Sequence, residues 1–248
     1  MSTTPSREVR LGRLFVRLAD NLVSEFDVVD LLDELVASCV GLLDVSAAGL
    51  MLADSQGRLQ VMAATSEQTR LLELFELQNQ QGPCLDCYRS GEPITAAAPD
   101  EQSDRWPILA RRFRELGFGP VYALPLRLRD RTIGALNLFQ PPDTLLSDDA
   151  LQIGQAMADV ATITLLQHES AEASERLTTQ LQTALNSRIT IEQAKGILAQ
   201  YARIDMDQAF QLLRNHARTA RAKLTDVAAG LATGQLDPGT IAKPSPKP

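Results

Sequence analysis

Between Gln155 and Lys195 the chain contains neither glycine nor proline, and no other feature constrains its fold as strongly. Nothing there breaks a helix, so from Ser147 onward the backbone can stay helical far beyond the length of an ordinary globular helix. Val160, Ile163, Gln167, Ser170, Ser174, Leu177, Leu181 and Ala184 recur in this stretch at alternating three- and four-residue steps. That is the spacing of a coiled-coil seam, and its polar middle predicts a weak, adjustable pairing of two helices. A homodimer is the corresponding expectation, with residues 169–180 as a helical linker between two bodies.

The first body is the larger. With 248 residues and 44% hydrophobic content, the chain can bury one sizeable core and keep residues for a small second domain. Ser6 to Glu25 and the segment after Asp27 carry helical periodicity. Ala47–Ala53 and Arg58–Ala64 read as a hairpin around Asp54-Ser-Gln-Gly57, and Ser66–Gln78 as a helix. A short helix ending at Gly91, a strand at Pro93–Ala97 and a helix over Ser103–Leu116 follow. Val121–Leu128 and Thr132–Phe139, joined by a tight turn at Arg129-Asp-Arg131, are the strongest strand candidates. Leu124-Pro125-Leu126 and Gly134–Leu138 read as half-buried strands, and Gly134 suits a bulge or the close approach of a helix. This is an α+β pattern, an antiparallel sheet with helices.

Charge separates the two bodies. The net charge is -7, yet Leu181 to Leu236 holds Arg188, Lys195, Arg203, Arg214, Arg218, Arg221 and Lys223 against Glu192, Asp205, Asp207 and Asp226. Only this C-terminal part suits a phosphate backbone. Its helices are predicted to about Ala202, from Asp205 and from Thr225, a three-helix bundle. Ile191, Ala194 and Leu198 form an apolar stripe beside a polar one of Arg188, Glu192 and Lys195. Ala209, Phe210, Leu213 and Ala217 should face the core, while Gln211, Arg214, Arg218 and Arg221 form the opposite row. Asp237-Pro-Gly and the proline-rich end predict a disordered tail over 237–248. No apolar run approaches the roughly 20 residues of a membrane span, and Met1 to Arg10 is no export signal, so a soluble, cytoplasmic protein without membrane association is expected. Three cysteines and two histidines leave little for a disulfide framework or a metal cluster.

Two resemblances join these readings. Gln81-Gly-Pro-Cys-Leu-Asp-Cys-Tyr-Arg-Ser-Gly91-Glu-Pro-Ile, Arg105-Trp-Pro107, Val121-Tyr-Ala-Leu-Pro-Leu126 and Ile133-Gly-Ala-Leu-Asn-Leu-Phe139 together resemble a GAF domain of the actinobacterial GAF-ANTAR type. Residues 1–168 would then be a GAF-like sensor domain with N-terminal helices, able to hold a small ligand on a concave sheet face. The sequence names no cofactor or ligand, and the absence of any Asn-Lys dipeptide argues against cyclic nucleotides. Leu181-Gln-Thr-Ala-Leu185-Asn-Ser-Arg188-Ile-Thr-Ile191-Glu-Gln-Ala-Lys195-Gly-Ile-Leu198, then Asp205 to Arg218 and Lys223 to Ala228, is similar to an ANTAR domain over 181–236. ANTAR domains are helical bundles that bind paired RNA hairpins and prevent transcription termination. The resemblance thus implies antitermination on hairpins in transcript leaders, with Arg188, Lys195, Arg214, Arg218 and Arg221 as RNA contacts. Lys195 and Arg214 occupy positions typical of the family.

Two rival functions remain in view. Cys84 and Cys87 form a CxxC that could serve a thiol-redox sensor or enzyme, since the start of a helix favours a thiolate; packing is the competing explanation. No general base or thioredoxin-like context accompanies the pair, and no enzyme is expected. Leu224 to Gly230 could open a DNA-binding helix-turn-helix, but a proline-rich tail follows where the recognition helix should be. His168, in the linker, reads as solvated.

Overall fold

The computed structural model describes residues 5–20, 27–96, 104–167 and 174–242, by backbone alone at 167 and 174–186. The chain divides into two compact units, Met1–Leu181 and Gln182–Pro248. The first contains helices α1 (Arg7–Asp20), α2 (Val28–Leu43), α3 (Glu67–Asn79), α4 (Pro83–Ser90), α5 (Pro107–Glu115) and α6 (Asp148–Gln167). Its strands are β1 (Ala47–Ala53), β2 (Leu59–Ala64), β3 (Ile94–Ala96), β4 (Val121–Leu128) and β5 (Arg131–Phe139). They form one sheet in the order β2-β1-β5-β4-β3, with every neighbouring pair antiparallel.

Helices cover both faces of this sheet. Gly154 of α6 lies against Leu124, Leu138 and, from α2, Leu43. Met51, Ala123 and Ala135, which alternate with such residues along their strands, pack instead with Cys84 and Cys87 of α4. Phe139 and Val121, on that second face, meet Leu109 and Phe113 of α5. The half-buried alternation expected of β4 and β5 is therefore corrected: both strands are buried on both sides over most of their length, as happens when helices flank a sheet. Pro125 is tolerated because β3 pairs only with Val121–Ala123, leaving β4 an edge beyond it. The close approach expected at Gly134 is made by a strand, not a helix: a Cβ there would sit 2.1 Å from the carbonyl oxygen of Met51.

Local signals set the helix ends. Asp27 accepts from the Val29 amide at 2.9 Å and Ser66 from the Thr69 amide at 3.2 Å, so both are N-caps. The fifth helix starts at Pro107, because a residue before proline avoids helical geometry, and Trp106 is non-helical (φ -135°, ψ 66°); the expected start at Ser103 lies outside the described residues. Helices α2 and α3 end on left-handed residues that are not glycine, Asp44 (φ 55°) and Gln80 (φ 53°).

The second unit contains the end of α7 (Ser174–Ala202), then α8 (Met206–Ala220), α9 (Leu224–Ala232) and α10 (Pro238–Ala242). Asp205 caps α8, accepting from the Gln208 amide at 2.7 Å. Left-handed Arg203 (φ 54°) follows α7, and Arg221 (φ 52°) ends α8. Ile191, Ala194 and Leu198 of α7, Ala209 and Leu213 of α8 and Leu224, Ala228 and Leu231 of α9 are buried. The tail expectation is corrected over 237–242, where Pro238 opens α10 and Ile241 is buried. Residues 243–248 lie outside the described ones, as does His168. Of the expected seam, Val160 and Ile163 are half-buried on α6; the other six positions lie outside the residues whose side chains are described. No helix among the described residues is long and apolar enough to cross a membrane.

Candidate functional site

The first unit carries a polar constellation in its interior. An amphipathic helix turns its leucines to the core, but the buried stripe of α3 is Thr69, Leu72, Glu73 and Glu76, while Leu71 is 53% exposed. Glu73 lies against Gly49 of β1, where a Cβ would meet its carboxylate, and accepts from Nδ2 of the buried Asn137 at 3.3 Å. Gly49 and Asn137 are register partners across β1 and β5, so glycine on one strand makes the space in which the carboxylate reaches the amide. Glu76 Oε1 accepts from the backbone amides of Cys84 at 2.8 Å and Leu85 at 3.3 Å, capping α4 from the interior. Gly82 (φ 145°) admits that carboxylate, since a Cβ there would lie 2.2 Å from Oε1. Burial pushes the Glu76 carboxyl up to about 8, against the two amides that favour its charged form, and the charge of Asp86 adds to the rise.

The thiols sit in the same interior. Cys84 and Cys87 are free and buried, Cys84 with its Sγ 3.9 Å from the carbonyl oxygen of Ala135. Burial, then the nearby Glu76, pushes the Cys87 thiol up to about 12; Cys84 is raised well above the ordinary range by burial and by Glu76, Glu73 and Cys87, with a hydrogen bond from Asn137 opposing. Desolvation and two nearby acids oppose the thiolate that the start of a helix would favour. This geometry is that of small packing side chains, and Cys39, likewise raised to about 12 by burial, is core. Among the described residues no group of three or more histidine, cysteine or acidic side chains is placed to hold a metal. The Arg105-Trp-Pro107 motif also has a local purpose. Asp86 of α4 accepts from Arg105 Nε at 2.9 Å and Trp106 Nε1 at 3.1 Å, tying the start of α5 to α4.

In the second unit the five basic candidates separate into two groups. Arg188 and Lys195 are buried, not solvent-facing. Arg188 Nε lies 3.2 Å and Lys195 Nζ 3.0 Å from the carboxylate of Glu192, and both cations stand over the ring of Phe210, 5.9 and 5.7 Å from its centroid. Phe210 is half-buried where full burial was expected. Arg218 and Arg221 are exposed and Arg214 half-exposed. Arg221 stands at the left-handed residue that ends α8, one step off the helical row. The sequence reading missed Glu73 and Glu76; the available signal was an i, i+3 acidic pair in phase with Thr69 and Leu72 on α3.

A family model of the GAF domain matches residues 27–165, more than half of the chain, and one of the ANTAR domain matches residues 179–231. Among solved structures, the GAF domain of an Acinetobacter phosphoenolpyruvate-protein phosphotransferase is similar at a TM-score of 0.51 with 13% identity, covering 69% of this chain and 99% of its own. A GAF domain/HD domain protein from Geobacter sulfurreducens gives 0.50 with 19% identity, covering 60% and 99%. The phycoerythrobilin-bound GAF domain of a cyanobacterial phytochrome gives 0.50 with 15% identity, covering 66% and 97%. At these identities the likeness concerns the fold alone. A search of curated proteins finds no match. With a five-stranded antiparallel sheet flanked by helices and a helical unit after it, the chain belongs to the GAF domain family and carries an ANTAR domain behind that domain, the order of a GAF-ANTAR regulator.

Proposed function

We propose that this protein is a signal-responsive transcription antitermination regulator, whose GAF domain takes a small-molecule signal and controls binding of the ANTAR domain to paired RNA hairpins. It acts as a cytoplasmic homodimer paired along the linker seam. The observation that carries the reading is the row Arg214, Arg218 and Arg221 within an ANTAR domain: three guanidinium groups, none of them with an ion-pair partner among the described residues. Phosphate recognition needs such unpaired, forked donors. Arg188 and Lys195 leave the list of direct contacts, because each is buried against Glu192 and Phe210. In the GAF domain the buried polar side chains Glu73, Glu76 and Asn137, on α3 and the sheet, are groups available to report a signal.

The test is RNA sequencing of material that copurifies with the protein from its own cells, followed by binding of the recovered hairpins. Replacing Arg214 and Arg218 with Gln should weaken binding and lower the salt slope by roughly 0.7 to 0.9 per lost phosphate contact. A folded double variant with parental affinity and parental slope removes this face from the assignment. Recovery of genomic DNA in place of structured RNA overturns the RNA reading itself.

A further inference from the structure

Arg188, Glu192 and Lys195 succeed one another at i, i+4 and i+7 on α7, beside the buried apolar stripe Ile191, Ala194 and Leu198. Lys195 is only 3% exposed and Arg188 8%, so no phosphate reaches either without opening the unit. Two cations share one carboxylate at 3.0 and 3.2 Å. The face of Phe210 supplies further negative potential to both. Phe210 belongs to α8, and Arg214 and Arg218 follow it at successive four-residue steps, one helical turn apart on a single ridge. Whatever fixes the rotation of Phe210 about the α8 axis therefore fixes where Arg214 and Arg218 point.

We infer that Arg188, Glu192, Lys195 and Phe210 form a positioning clamp that sets the phase of α8 against α7 and so aims the arginine row, without touching RNA themselves. The inference rests on the proposed RNA-binding function of that row. A directional device suits this interface better than leucine packing would. Apolar side chains permit small rotations at little cost, whereas a buried charge that loses its partner is heavily penalised, so the arrangement tolerates one geometry. The clamp also lies on the helix that enters the domain from the linker, so a change in α7 reaches α8 through these four side chains.

The test uses the full chain, with a labelled synthetic RNA of two tandem stem-loops, titrated at several salt concentrations between about 50 and 200 mM. Lys195→Met keeps the stem volume and the Arg188–Glu192 ion pair, so the domain should remain folded by circular dichroism. Binding should weaken roughly tenfold, as for network residues that do not touch the ligand, while the salt slope stays parental. Phe210→Leu should behave like Lys195→Met, and Phe210→Tyr and Lys195→Arg, which retain ring and charge, should restore near-parental binding. A fall in slope with Lys195→Met equal to that of Arg218→Gln would make Lys195 a phosphate contact and overturn the clamp. A lower melting temperature with parental affinity of the folded protein would reduce it to packing and overturn it equally. If Lys195→Met unfolds the domain, Phe210→Leu against Phe210→Tyr decides by the same readouts. Parental affinity and slope in the Arg214→Gln, Arg218→Gln double variant would instead sink the RNA-face reading underneath, an outcome separable from the other two.

Discussion

Glu76 is a carboxyl group whose cost of burial is measurable. Its ordinary value is 4.5 and burial lifts it to about 8, so between those limits the folded protein holds a proton that the unfolded chain has released. Its contribution is fully favourable below 4.5 and is lost as pH rises toward 8, a swing of roughly 4 to 5 kcal/mol. Carboxylates such as Asp54, held low by its amide and Arg58 bonds, shift stability in the opposite sense at acid pH, so the comparison must be with a variant. Glu76→Gln keeps a carbonyl oxygen for the Cys84 and Leu85 amides and has no proton to lose. Denaturant unfolding of parent and variant should show the parent falling progressively below the variant from pH 5 to about pH 8. Parallel profiles would mean that Glu76 ionises in the folded protein as it does in the unfolded chain, and would sink this reading of its burial.

The elements were mostly legible, and the exceptions have physical causes. Period-two and 3.6-residue patterns located the strands and most helices because burial follows them, as in Leu32, Leu35 and Cys39 of α2. Helix α3 hid its buried acids because hydrophobic periodicity is blind to a carboxylate sheltered by two glycines on other elements. Arg188 and Lys195 looked like surface cations for a similar reason, since their shelter, Phe210, comes from another helix. The α10 helix was hidden by proline, which stops a helix when it stands inside one and starts a helix when it stands at its first turn. Its anchor provides the check. Ile241→Ala should lower the stability of the ANTAR domain by about 2 to 5 kcal/mol, read as a drop in melting temperature, whereas a truly disordered tail would give no change.

At the scale of the whole molecule, the open matter is how a signal in one domain alters the other. The seam from Val160 to Ala184 is a sequence pattern with a definite phase, so an insertion that respects the heptad should be tolerated and one that breaks it should not. Two residues inserted after Ser170 should uncouple RNA binding from the GAF signal, and seven should largely preserve coupling. Identical behaviour of the two insertions would reduce the linker to a tether. One feature of the backbone bears on how readily such a protein can change. Asp44, Gln80, Arg203 and Arg221 all hold left-handed conformations at helix ends, where an L side chain costs about 1 to 2 kcal/mol more than in a right-handed turn. Glycine escapes that cost and loses about 0.5 to 1 kcal/mol in chain entropy, so each site holds a small unused reserve of stability. At Asp44, Gln80 and Arg203 the reserve is open to selection or engineering, room in which a destabilising change of signal specificity could be absorbed. At Arg221 glycine would also delete a cation of the proposed RNA row, and there robustness would compete with the binding proposed for it.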